Sequence, residues 1–276
     1  MRLTKKTKKT VRTVGFYLSL AGILTITLFP FLWMVLASFK KMVDLLNVDK
    51  MFAFTPTIQN YIDVFSKYDF WQPLQNSMLI AVLSTMLALL FGLPASYVIA
   101  REKMSGFSAV ILVIRIIPAI SFLVPWYILF NRLRLTGTYT SLVLVHLLVA
   151  LPMIVWIMIP FFETMPRELE EASWMDGCSH MGTFVKILLP LASPAVLTAT
   201  ILSFIFSWNN FIFALILCTN DTRTLPTAVF QFMSYTDVDW ACLMAAAVII
   251  TIPILLISVF LQKYIITGMT AGAVKG

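Results

Sequence analysis

Few residues of this 276-residue chain are of types that carry chemistry. His146 and His180 are the two histidines, and no Ser–His–Asp set can be argued for either. There is no H-E-x-x-H metal pair and no G-x-x-x-x-G-K-[ST] phosphate loop, so neither metal-assisted hydrolysis nor ATP binding is expected of this chain. Cys178, Cys218 and Cys242 are too few and too scattered for a disulfide framework or a zinc site, and read as small apolar fillers. What remains is a handful of polar groups embedded in apolar sequence: Arg115, His146 and the run Trp208, Asn209, Asn210. One strongly polar segment, Glu163 to Pro194, stands beside them.

The surrounding sequence says what solvent those groups live in. Hydrophobic residues make up 60% of the chain and charged residues 12%. A soluble domain is nearer half apolar and a quarter charged, so lipid must be the solvent for most of this chain. A spanning helix needs about 20 mostly apolar residues. Six stretches qualify: 14–39, 74–100, 107–130, 139–162, 194–217 and 241–266. The expected fold is therefore all-α, a polytopic membrane protein with a basic tail over 1–13 and a transmembrane domain over 14–276. The first stretch is about twice as long as a signal-peptide core and lacks a small-x-small site before Lys40, so it reads as a membrane helix.

Charge orients the spans. Arg2, Lys5, Lys6, Lys8, Lys9 and Arg12 open the chain and run straight into apolar sequence, which points to anionic lipid headgroups rather than nucleic acid. With both ends inside, the inner segments hold twelve basic residues and the outer loops seven. Both termini are thus expected on the cytoplasmic side of the membrane. The outer loop 40–73 is long and rich in aromatics, and 218–240 carries Asp221, Arg223, Asp237 and Asp239; surface loops of this kind are where a partner touches. Prolines occur in nearly every span (Pro30, Pro94, Pro118, Pro125, Pro152, Pro253), where they free carbonyls and bend the axis.

In that setting the isolated polar groups take meaning. An ionisable side chain at membrane depth usually faces a cavity or the bundle interior. Arg115 either lines a translocation path, bonds a carbonyl freed by the nearby prolines, or snorkels to the inner surface. His146 suits a hydrogen bond between helices or a substrate contact. Trp208 beside Asn209 and Asn210 offers an aromatic face with amides, as a sugar site does, or inter-helix hydrogen bonds.

The segment 163–193 is too polar for membrane and predicts an elbow of two short helices. Pro166 suits a first helical position, and Glu168, Glu170 and Glu171 then occupy the first turns, where the positive helix end favours acids. Leu169, Ala172 and Met175 form an apolar face. Gly177 stops the helix, Ser179 can cap the next, and that one carries Phe184 and Ile187 and ends near Pro190.

The spacing Glu171-Ala172-x-x-x-x-Gly177, nine residues, then Ile187-x-Leu189-Pro190 resembles the EAA loop of bacterial ABC-importer permeases, and Asp176 agrees. Ser173 stands where that family usually has a third small residue. Ser207-Trp208-Asn209-Asn210-Phe211 is similar to its WN(D/E)F stretch, without the carboxylate at Asn210. The ending Gly268 to Gly276 resembles the maltose-permease-like branch that imports carbohydrates. The resemblance implies a coupling elbow that docks on an ATPase subunit through Glu171, Ala172, Asp176, Gly177, Ile187, Leu189 and Pro190. It implies a second permease chain completing a heterodimeric pore, an ATPase dimer that binds ATP and Mg, and an extracytoplasmic solute-binding protein. It also implies that the C-terminal tail can reach the ATPase pair. This chain would hold no cofactor or metal and would not be an enzyme. The rival readings are an ion-coupled secondary transporter, which would show midplane carboxylates that no span here carries securely, and a scaffold without substrate, against which the EAA spacing argues.

Overall fold

A computed structural model describes residues 5–233 and 238–270, with side chains over 12–233 and 238–260. The expected features at Arg2, Asp237 and residues 271–276, and the side chains of Lys5, Lys6, Lys8, Lys9 and Lys263, lie outside the described residues. Eleven of the helices are labelled here: α1 (Lys5–Ser38), α2 (Gln59–Ser66), α3 (Trp71–Arg101), α4 (Ser105–Ile116), α5 (Leu123–Arg132), α6 (Tyr139–Thr164), α7 (Glu168–Met175), α8 (His180–Leu191), α9 (Ser193–Trp208), α10 (Ile212–Leu217) and α11 (Trp240–Thr270). The fold is all-α; an isolated bridge, Met233 with Val238, is the one extended pairing among the described residues. In lipid every backbone polar group must be satisfied within its own segment, which is why such apolar sequence folds as long helices. Among the described residues, four helices are long and apolar enough to cross a membrane, or up to six crossings if each of two bent pairs is one span.

The chain divides into two compact units, 1–69 with 229–251, and 70–228 with 252–276. In the first, the segment after α1 is tied back by Asn60, whose amide donates to the carbonyls of Ser38 and Lys40 at 2.7 Å each. Lys40 is 1% exposed. Its ammonium donates to the carbonyls of Lys50 and Met51 and lies over the rings of Trp33 and Phe54. Asp239 caps α11 by accepting from the N–H of Cys242 at 3.1 Å, and accepts from the Tyr68 hydroxyl at 3.0 Å.

The second unit is built on α3 packed against α6, with α9 on both and α4 on α6. Gly92 permits the close approach: a Cβ there would lie 3.0 Å from Ile154 Cγ2. At one end of this unit Asn76 donates to the carbonyls of Asp221 and Arg223 and accepts from the Tyr139 hydroxyl, tying down the loop after α10. Gly137 turns into α6 at φ +81°, with Thr219 Cγ2 only 2.6 Å from where a Cβ would be.

Two stretches read as single helices are broken. The stretch 107–130 bends by 91° between α4 and a turn beginning at Ala119. The residue before a proline avoids helical geometry, and Ile117 before Pro118 is extended. Pro125, by contrast, sits in the first turn of α5, where its missing N–H costs nothing. The stretch 194–217 breaks after Trp208, because Asn210 Oδ1 accepts from the N–H of Phe213 and starts α10.

Candidate coupling elbow and the polar groups of the bundle

The elbow consists of α7 and α8 and lies wholly in the second unit. Helix α7 begins at Glu168, two residues after Pro166, with three acids in its first turn. Gly177 takes φ +85° with open space around a Cβ, so the demand for glycine is conformational. Ser179 Oγ caps α8 by accepting from the Gly182 N–H at 3.1 Å. That helix ends at Leu191, one residue past Pro190, as expected. A π turn over Phe184–Leu188, with the Leu189 N–H bonded five residues back to Phe184, passes the chain across the proline before an 80° bend into α9.

The two faces of α7 have opposite fates. Glu171, Ala172, Trp174, Met175, Asp176 and Gly177 are exposed, Met175 at 88%. Glu170 and Ser173 are buried. Ser173 Oγ meets the buried Thr183 hydroxyl at 2.6 Å, locking the two arms together, and the rings of Trp174 and His180 meet edge to face. On α8, Phe184 and Leu188 point into the bundle, Ile187 and Leu189 are half-buried and Pro190 is exposed. Leu169, Ala172, Met175 and Glu171 therefore present a mixed apolar and acidic surface with no partner within the described chain.

What holds that surface out is an ion pair that residue spacing alone does not announce. Glu170 Oε1 lies 2.5 Å from Arg101 Nε at the end of α3, an alignment short of a hydrogen bond, and their side chains are 6% and 10% exposed. Glu170 Oε2 accepts from the Tyr97 hydroxyl at 2.8 Å. Arg101 Nη1 donates to the Met165 carbonyl at 3.0 Å, and its guanidinium lies over the Tyr97 ring. Tyr97 in turn packs on Phe162 and Phe184. A cleft of about 280 Å³, lined by Glu170, Glu171, Trp174 and His180 among others, opens beside this cluster.

The other candidate residues divide. His146 and Trp208 are each 1% exposed. His146 Nδ1 shares a 2.6 Å hydrogen bond with Ser207 Oγ, which lies 3.1 Å from Ser84 Oγ, so α6, α9 and α3 are joined by a buried polar chain. His146 Nε2, Thr85 Oγ1 and Ser203 Oγ have no partner there. Asn209 is exposed and Asn210 half-buried at the break after α9. Arg115, one residue from the end of α4, is exposed in the single chain. The structure brings the elbow residues together, whereas Arg115 and Asn209 are exposed and His146 is buried. No group of three His, Cys, Asp or Glu side chains suited to a metal occurs among the described residues.

A bundle of apolar, membrane-length helices that turns one polar elbow outward has the form of a membrane transport component. Residues 88–271 match the family of binding-protein-dependent transport system inner membrane components, and the chain belongs to that family. It is 34% identical over 258 residues to the trehalose/maltose transport system permease of Thermococcus litoralis, covering 91% of this chain and 92% of that one. It is 33% identical over 254 residues to the sulfoquinovosyl glycerol transport system permease of Agrobacterium fabrum, covering 90% and 89%. Among solved structures, a chain of a bacterial ABC transporter involved in the import of alginate superposes with a TM-score of 0.79 at 19% identity, over 96% of this chain and 99% of that one, a likeness of fold. The protein is thus a multi-pass inner-membrane permease component of an ABC importer.

Proposed function

We propose that this chain is one half of a heterodimeric pore that imports a sugar, oligosaccharide or polyol by alternating access, with energy from a separate ATPase dimer. The observation that carries the reading is the divided α7: its Glu170 face is pinned to α3, while Glu171, Ala172, Asp176 and Gly177 are presented outward. A docking element needs both properties, since only a rigid attachment passes displacement on to the spans. Both termini and the elbow then face the cytoplasm. ATP and Mg bind to the ATPase pair, whose closure carries the elbows together and opens the path outward, and hydrolysis resets it. The C-terminal tail, Thr270 to Gly276, can add a second contact to that pair.

Carbohydrate as cargo is supported by what the two similar permeases are named for, trehalose/maltose and sulfoquinovosyl glycerol. An extracytoplasmic binding protein delivers it, and the loop held by Asn76 offers an ordered place to dock. Arg115, Asn209 and Asn210 border the path where the second permease chain completes it. His146 and Trp208 shape it from within the packing.

The test is co-purification of this chain in mild detergent with reconstitution in proteoliposomes. Recovery of one second permease and an ATPase, with sugar-stimulated ATP hydrolysis that Glu171→Lys abolishes, supports the reading. Recovery of the chain alone from membranes that yield other intact complexes refutes it.

A further inference from the structure

A second cavity, of about 460 Å³, shares Arg101 and Arg167 with the elbow cleft and is lined by the end of α3, the start of α4 and the end of α6. Its polar lining is Arg101, Lys103, Ser105, Ser108, Glu163 and Arg167. Arg101 is balanced by Glu170, but its Nη2 is buried without a hydrogen-bond partner in a side chain only 10% exposed. Neither Lys103 nor Arg167 belongs to an ion pair among the described residues, so two cations face one carboxylate, Glu163. Helix α4 starts at this place without a side-chain cap, and the N–H groups of Gly106 and Phe107 in its first turn have no backbone acceptor. An uncapped helix start of twelve residues with arginine and lysine beside it suits a tetrahedral oxyanion that accepts several hydrogen bonds at once.

We infer that this cavity binds a phosphate group, and that the phosphate belongs to the headgroup of an anionic phospholipid. The source is argued from the flank of the cavity. From Phe107, helix α4 carries an exposed apolar row through Val110 and Val113, along which an acyl chain can lie. A basic pocket between membrane helices at the inner surface is a recurrent place for acidic headgroups. The inference rests on the reading that this end of the bundle faces the cytoplasm. The ligand would hold the α3–α4 turn, where Lys103 takes φ +50°, in register with the base of the elbow.

The test is native mass spectrometry of the purified importer complex, washed in detergent and offered phosphatidylglycerol, phosphatidylcholine or inorganic phosphate. Lys103→Asn removes a charge with a residue that tolerates positive φ, and Lys103→Asn with Arg167→Gln removes both. Selective retention of phosphatidylglycerol, reduced about fivefold by the single change and about thirtyfold by the double, is the expected result. Phosphate adducts in place of lipid, lost in the same variants, would support the site with free phosphate as its occupant. Equal phosphatidylglycerol retention in all three proteins, or no retention of either ligand by the parent complex, overturns the inference. The same spectra report subunit composition, so a failure of the importer reading shows as missing partner chains and stands apart from loss of lipid.

Discussion

Replacing Glu170 by glutamine keeps the shape of the side chain and an acceptor for Tyr97, and removes only the charge that balances Arg101. Breaking one side of a buried ion pair costs about 3–5 kcal/mol. Arg101 keeps its bond to the Met165 carbonyl and its place over the Tyr97 ring, so the lower end applies, about 3 kcal/mol. Because the pair joins α7 to α3, the cost falls on the elbow. Its local opening should rise about 150-fold at that energy. Hydrogen exchange of the segment 165–178 in the detergent-purified complex measures this directly, and it should accelerate while the α3–α6 core stays protected. Arg101→Met combined with Glu170→Leu replaces the pair by apolar groups and should bring exchange back to within about tenfold of the parent, since apolar isosteres often replace buried pairs without loss. Unchanged exchange in Glu170→Gln, or a double variant as open as the single, would refute the view that this pair fixes the elbow.

Gly177→Ala should strain the φ +85° turn by about 1–2 kcal/mol and reduce sugar-stimulated ATP hydrolysis, with Gly177→Asn milder; equal rates in all three proteins would remove the turn from the coupling argument. Ser207→Ala leaves His146 Nδ1 and the Ser84 hydroxyl without their shared partner, so thermal unfolding in detergent should reflect a loss of about 1–3 kcal/mol. Gly92→Leu should wedge α3 from α6 and lower the yield of folded protein, whereas Gly92→Ala, crowding the Ile154 side chain at 3.0 Å and touching Val155 at 3.6 Å, should cost about 1–3 kcal/mol. For Asp239, burial raises the carboxyl pKa, but the Cys242 N–H and the Tyr68 hydroxyl outweigh it and hold the pKa below its ordinary value. A depressed carboxyl contributes stability above the ordinary carboxylate pKa and loses it as pH falls through the depressed one. Acid titration of unfolding should therefore lose its steepest step in Asp239→Asn.

The membrane helices and the exposed face of the elbow were legible because each rests on a local signal: apolar length for the spans, and acids, a glycine and a capping serine for α7 and α8. Glu170 was not distinguishable from Glu171 by type, and its partner Arg101 lies far away in sequence at the foot of another helix. Only the rotation of α7 separates a carboxylate that anchors from one that is presented. Ser173 read as a mild departure from a small-residue pattern, and its hydroxyl proves to be the bond to Thr183. Lys40 counted as a loop charge, yet it is enclosed by two carbonyls and two aromatic rings that come together only through the fold. The breaks at Pro118 and Asn210 were present as residue types, but many prolines here run unbroken through helices, among them Pro94 and Pro152, so type alone did not say which would bend the chain.

The 91° break at Pro118 has a bearing on how the protein is made. At a rise of about 1.5 Å per residue, α4 is about 18 Å long and α5 about 15 Å, against a hydrocarbon layer of about 30 Å. Neither half can cross on its own, and at the break the backbone lacks helical partners that lipid cannot replace. Helix α6, against which α4 packs, is synthesised after both. Where the bent pair forms one crossing, it therefore stays without its packing partner until α6 has been made.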